Sequence, residues 1–367
     1  MRISRITVYQ VDLPLADGCY SWAKAKTMTT GDSTVVRLDT DEGLTGWGET
    51  CPLGANYLAS YPQGIRAGVG VLAPHLLGLD PSCIGQINAT MDRELRGHPY
   101  VKSAIDVACW DILGQRAGLP LHALLGGRQN ERMPMYRSVG QDSPEAMVEA
   151  ANAFRAQGYK QLQLKVGGEP AVDAERIRAV VESGPPGELV LADGNTGWRR
   201  DEALSVAVAT RDLDYIFEQP CERYSDCLSV RRRTGHTFKL DETLETIDDA
   251  TRSLQDDAMD VACIKISKHG GLTKARLMRD LCAAKGIPMT VEDIWGADIV
   301  TAALAHLAAS TPADCLLNTT DLQSYNTMRI ADGAPEVVDG QLTVSDRPGL
   351  GVTPRDDVLG EPLATYH

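Results

Sequence analysis

The sequence predicts an α/β protein: a (β/α)8-type TIM barrel over residues 127–330, preceded by an N-terminal α+β domain over 1–126 and followed by a segment, 331–367, that returns to it. Three observations predict this. Eight short apolar runs alternate with helical stretches after Gly127, the pattern of a parallel sheet, and eight strands close a barrel. Before Gly127 strands come first and helices after, without that alternation. Six of the eight runs end on an ionisable side chain at intervals of 28, 25, 23, 24 and 27 residues, one β/α unit each.

The elements follow in order. Ile3, Ile6, Val8, Val11 and Leu13 alternate with polar residues up to Pro14, as in a half-buried strand. Ser33–Leu38 and Leu44–Glu49 flank the turn residues Asp39-Thr40-Asp41-Glu42-Gly43 and read as a hairpin. From about residue 64 the period becomes helical, with Val101, Ala104, Ile105, Ala108, Cys109, Ile112 and Leu113 on one face. The eight runs are Met133–Ser138, Gln161–Lys165, Leu189–Asp193, Tyr215–Glu218, Phe238–Asp241, Val261–Lys265, Pro288–Glu292 and Cys315–Asn318. The tail, with Gln341–Val344 and the turn-rich Pro348–Gly351, is too short for another domain and is expected to pack on the N-terminal unit.

Composition excludes some classes. With 36 Lys and Arg against 50 Asp and Glu, the net charge is −14, which disfavours nucleic acid as a partner. Nine scattered cysteines without a CxxC pair exclude a zinc ribbon and argue against a disulfide framework. The N-terminus lacks a secretory apolar region and no long apolar run suggests a membrane span, so a cytoplasmic protein is expected.

The run ends carry the chemistry. Lys165, Asp193, Glu218, Asp241, Lys265 and Glu292 close strands two to seven, which places them on the C-terminal rim where barrel active sites lie. Three carboxylates on consecutive strands form an all-oxygen, hard-cation set, best suited to Mg²⁺. Lys165 and Lys265, on strands two and six, face one another across the ring. A lysine base needs a depressed pKa, which a nearby cation supplies. Two opposed bases and a divalent cation suit removal of the proton α to a carboxylate, with the metal stabilising the resulting enediolate. Return of the proton on the other face gives racemisation or epimerisation; a leaving group on the β carbon gives elimination instead. Lys268 is expected past the strand, on a loop or the surface. His306, on an apolar helical stretch, is expected as a satisfied core residue.

Together, Gln161-Leu162-Gln163-Leu164-Lys165, Asp193-Gly194-Asn195, Glu218-Gln219-Pro220, Asp241-Glu242 and Ile264-Lys265 resemble the enolase superfamily, specifically its muconate-lactonising subgroup, over essentially the whole chain. The resemblance implies Asp193, Glu218 and Asp241 as Mg²⁺ ligands, Lys165 and Lys265 as acid/base catalysts, and Asn195 and Glu242 as supports of the metal. It also implies that the N-terminal domain caps the barrel mouth and that the chain forms homo-oligomers. Gln163 stands where the subgroup usually has the first Lys of Lys-x-Lys. In that respect, as in Asp293–Ile299, the chain is similar to members acting on proline derivatives.

Tyr20, Trp22, Tyr57 and Trp295 are candidates to surround a cationic ring nitrogen. Glu292 or Asp293 would pair with a substrate ammonium or position a lysine, and Asp321 and Tyr325 are weaker candidates. The expected activity is Mg²⁺-dependent racemisation or 2-epimerisation of a small carboxylate, an amino acid or a proline or hydroxyproline betaine. The alternative is dehydration of cis-3-hydroxy-L-proline or a related hydroxy acid. Outside catalysis, the alternative is a metal-dependent small-molecule binding protein.

Overall fold

The N-terminal alternation becomes strand Ile3–Pro14, which pairs antiparallel with Thr30–Thr40; that strand in turn pairs with Thr45–Thr50 in a computed structural model describing all 367 residues. A fourth strand comes from the far end of the chain: Ala364–Tyr366 pairs along Ile6–Val8. A small hairpin, Tyr20–Trp22 with Lys26–Met28, projects between the first two long strands. The helical period yields Pro62–Leu76, Ile84–Glu94 and Pro99–Ala117. The last begins with a proline at its first turn and ends at Gly118, whose φ of 66° suits the left-handed cap position. This helix lies so close on strand Thr45–Thr50 that a Cβ at Gly48 would overlap the carbonyl oxygen of Ala104.

The alternating segment forms eight strands: Arg137–Val139, Gln161–Lys165, Leu189–Asp193, Ile216–Glu218, Thr237–Leu240, Val261–Lys265, Met289–Glu292 and Leu316–Thr319. They lie in sequence order in one parallel sheet, and a parallel bridge between Met135 and Thr319 joins its two edges. The first strand departs from expectation. Met133–Pro134 pairs antiparallel with Gln341–Leu342 of the tail, and the barrel strand starts later, at Arg137. Pro134 has no N–H to give to a central ladder, so the chain bends there before entering the barrel.

Buried polar contacts fix the two parts together. Glu49 accepts from the backbone N–H groups of Ala297 and Val300 at the start of helix Asp298–Ala309, and Asp106 accepts from the backbone and hydroxyl of Thr273. Such bonds are made inside a continuous apolar core, so the hairpin at Tyr20 and the loop around Tyr57 are held over the C-terminal ends of the barrel strands. The tail lies partly under the barrel and partly against the N-terminal domain: Leu350 N–H donates to Asp111. His306 is buried, its ring nitrogens meeting the backbone N–H of His122 and the carbonyl of Leu350. No helix is long and apolar enough to cross a membrane.

Candidate active site

Parallel register brings the charged side chains to one level. Lys165 lies beside Asp193, Asp193 beside Glu218, Glu218 beside Lys239, and Lys265 beside Glu292. Two adjacent acids, Asp193 and Glu218, are therefore flanked by a lysine on each side. Lys165 Nζ donates to Asp193 Oδ2 at 2.6 Å, and Lys265 Nζ donates to Asp241 Oδ2 at 2.5 Å while standing 3.4 Å from Glu292. All these side chains are buried. Burial acts to lower the pKa of each lysine, yet Asp193 and Asp241 outweigh it and hold Lys165 and Lys265 well above the usual lysine range. Each ammonium has a carboxylate in direct contact, whereas the depressed value expected for a base depends on a nearby cation.

The loops after strands three and four are strained. Asn195 and Gln219 have φ of 40° and 30°, left-handed values rare outside glycine and typical of functional sites. Asn195 donates its amide to Glu242 at 3.0 Å, and Gln163 donates to Glu218 Oε2 at 3.0 Å. Two oxygens here are buried without a partner, Glu242 Oε2 and Asn195 Oδ1, while Glu218 Oε1 meets only the Lys239 ammonium, at 2.8 Å. Burial first, then the neighbouring carboxylates, pushes Glu218 up to about 7 and Glu242 up to about 8. Orphaned oxygens among crowded carboxylates are what a hard divalent cation satisfies, so these residues fit Mg²⁺.

The N-terminal domain supplies a roof. Tyr57 OH accepts from Lys265 Nζ at 2.9 Å and donates to Asp241 Oδ2 at 3.2 Å. Tyr20 packs between Trp22 and Trp295, with ring centroids 6.1 and 5.2 Å away, and Tyr325 closes the group. These aromatics line one cleft with Lys165, Lys265, Gln163, Asn195, Glu292 and Asp293. The two acids of strand seven are already engaged. Glu292 accepts from Tyr136 OH and the Cys263 thiol, and Asp293 accepts from Ser267 and Ile294 N–H.

Two family models cover the chain: the N-terminal domain of mandelate racemase/muconate lactonizing enzymes matches residues 8–126, and the enolase C-terminal domain-like model matches 146–358. The chain belongs to the mandelate racemase/muconate lactonizing enzyme family. It is an enzyme of the enolase superfamily. A cis-3-hydroxy-L-proline dehydratase from Roseibium aggregatum is 53% identical, with 100% of both chains covered. An N-succinyl-L-Arg/Lys racemase from Bacillus cereus is 28% identical over 98% of each. Among solved structures, a family member from Roseovarius nubinhibens complexed with magnesium has a TM-score of 0.96 at 38% identity, both chains fully covered.

Within this family framework two lysines emerge that the sequence reading misplaced or passed over. Lys268 is not on the surface: it is buried, and its Nζ donates to the backbone and carboxylate of Asp241 at 2.7 and 2.9 Å. The chain turns into helix Ile266–His269 directly after Lys265, so the third residue on comes back over the same face. Lys239, mid-strand between Phe238 and Leu240, is fully buried with Nζ 2.8 Å from Glu218 Oε1. Its signal was legible as a lysine at an inward position of an apolar strand. Tyr136 was also missed, and nothing but tertiary proximity marks it.

Proposed function

We propose that this enzyme is a Mg²⁺-dependent dehydratase of cis-3-hydroxy-L-proline or a close cyclic 3-hydroxy amino acid. This is the alternative among the expected activities; the racemase/epimerase reading that came first has less support. The observation that carries the proposal is a pair of buried lysines on opposite strands of one cleft, in a chain 53% identical end to end to such a dehydratase.

Asp193, Glu218 and Asp241 would hold the cation, with Asn195 and Glu242 supporting them. Bound there, it would supply positive charge to the substrate carboxylate, and Asp193 and Asp241, shared with it, would hold the lysine ammonium groups less tightly. In the cis isomer the carboxylate and the 3-hydroxyl share one ring face, so the C2 hydrogen points to the other. One lysine takes that proton and the C2–C3 double bond forms. The lysine opposite gives its proton to the departing hydroxyl, which leaves as water, and the enamine product tautomerises to a cyclic imine. Tyr57 orients Lys265, and the aromatic roof packs on the ring and excludes water.

The same two lysines could return the proton to C2 from the other face, the reaction of the racemases and epimerases among the relatives. Proton NMR of cis-3-hydroxy-L-proline with enzyme and Mg²⁺ in D₂O separates the two. Dehydration gives a cyclic imine and loss of the C3 carbinol signal. Inverted, deuterated C2 with the hydroxyl retained would return the reading to epimerisation.

A further inference from the structure

We infer that Lys239 is a positioning residue of the metal centre, a buried cation that holds Glu218 from the side opposite Gln163 and sets the charge of the donor cluster. The inference rests on the metal-site reading above. Glu218 is gripped at both oxygens: Gln163 Nε2, from strand two, bonds Oε2 at 3.0 Å, and Lys239 Nζ, from strand five, stands 2.8 Å from Oε1. Lys239 is in register with Glu218 and 0% exposed, so its ammonium has no route to solvent.

A buried ammonium costs several kcal/mol of desolvation, and an apolar residue of similar volume is often as stable or more so. Packing alone would be served by methionine. Charge accounts for the lysine. Around the barrel mouth lie six buried carboxylates, Asp193, Glu218, Asp241, Glu242, Glu292 and Asp293. Four buried ammonium groups, Lys165, Lys239, Lys265 and Lys268, face them, and Arg137 balances Asp321 at 3.7 Å, so with every group ionised the formal sum is −2, the charge that one divalent cation cancels. Glu218, Asp241, Cys263 and Glu292 also bring their donor atoms within 4.8 Å of one another, which in isolation resembles a second metal site. Lys239 lies beside Glu218 and its charge acts on Glu292, so this group already has a tethered cation.

Because Gln163 touches the other oxygen of the same carboxylate, a lysine at 163 could deliver the charge from strand two. That makes the role testable by moving the charge. Mg²⁺ binding is measured by calorimetry on the full-length wild type, K239M, Q163K and the Q163K/K239M double variant, with kcat measured alongside. Q163K alone adds a second cation to Glu218 and should weaken Mg²⁺ binding by about tenfold or more. K239M should lower kcat by about tenfold or more, as Glu218 loses one of its two anchors. The double variant should return Mg²⁺ affinity to within about threefold of wild type and recover most of the lost kcat.

Lys239 as mere packing would leave the double variant binding Mg²⁺ no tighter than Q163K, or turning over no faster than K239M, and either result overturns the inference. If K239M does not fold, K239Q, alone and with Q163K, takes its place in the same comparison. A wild type that binds no Mg²⁺ overturns the metal reading itself.

Discussion

The hydroxyl of Tyr57 joins a residue of the N-terminal domain to the barrel chemistry, and Tyr57→Phe tests that link. The hydroxyl accepts from Lys265 at 2.9 Å and donates to Asp241 at 3.2 Å. Phenylalanine keeps the ring, whose centroid is 5.2 Å from Lys265 Nζ, so packing and the cation–π contact survive. Lys265 and Asp241 still pair at 2.5 Å, so no buried charge is stranded. Two hydrogen bonds to charged groups are lost, and the one from Lys265 is worth about 1.5–3 kcal/mol. If the bond from Lys265 is needed to aim its amine in the transition state, kcat/KM falls by roughly tenfold to 150-fold. The assay is steady-state turnover beside a thermal melt. A variant within about twofold of wild type would show that Tyr57 does not position Lys265.

Other perturbations have equally definite outcomes. Lys165→Ala and Lys265→Ala should each lower kcat by about 10²–10⁴-fold, read by imine formation; full turnover in both would refute the opposed pair. Asp241→Asn removes the charge that Lys265 and Lys268 share, so stability should drop by about 3–5 kcal/mol in urea denaturation and Mg²⁺ binding should be lost. Burial pushes Glu49 up from 4.5 to about 7. Its favourable contribution is therefore complete below pH 4.5 and lost as pH rises through 7, by at most about 3 kcal/mol. Glu49→Gln should flatten that limb of the stability–pH curve. Gly48→Ala drives a methyl group into the backbone of helix Pro99–Ala117 at Ala104 and should cost about 1–3 kcal/mol in the same denaturation assay.

Eight apolar runs, their spacing and the charges at their ends were enough to read the barrel and to gather the rim residues, because strand alternation and β/α length are local properties of the chain. Lys165, Lys265 and Glu292 line one cleft, and register sets Asp193 beside Lys165 and Glu218 beside Asp193. Where the chain departs from a regular strand, locality fails. Met133–Pro134 leaves the barrel to pair with a tail over two hundred residues away, and the helical turn after Lys265 folds Lys268 back under Asp241.

The sequence by itself therefore determined the architecture and the supply of acids and bases. Only the tertiary structure decided which acid neutralises which base. Register sets Lys239, not Asp241, beside Glu218, and the cap delivers Tyr57 to Lys265. Coulomb energy between buried charges varies steeply over a few ångströms, and those distances are set by packing between segments that the sequence keeps far apart.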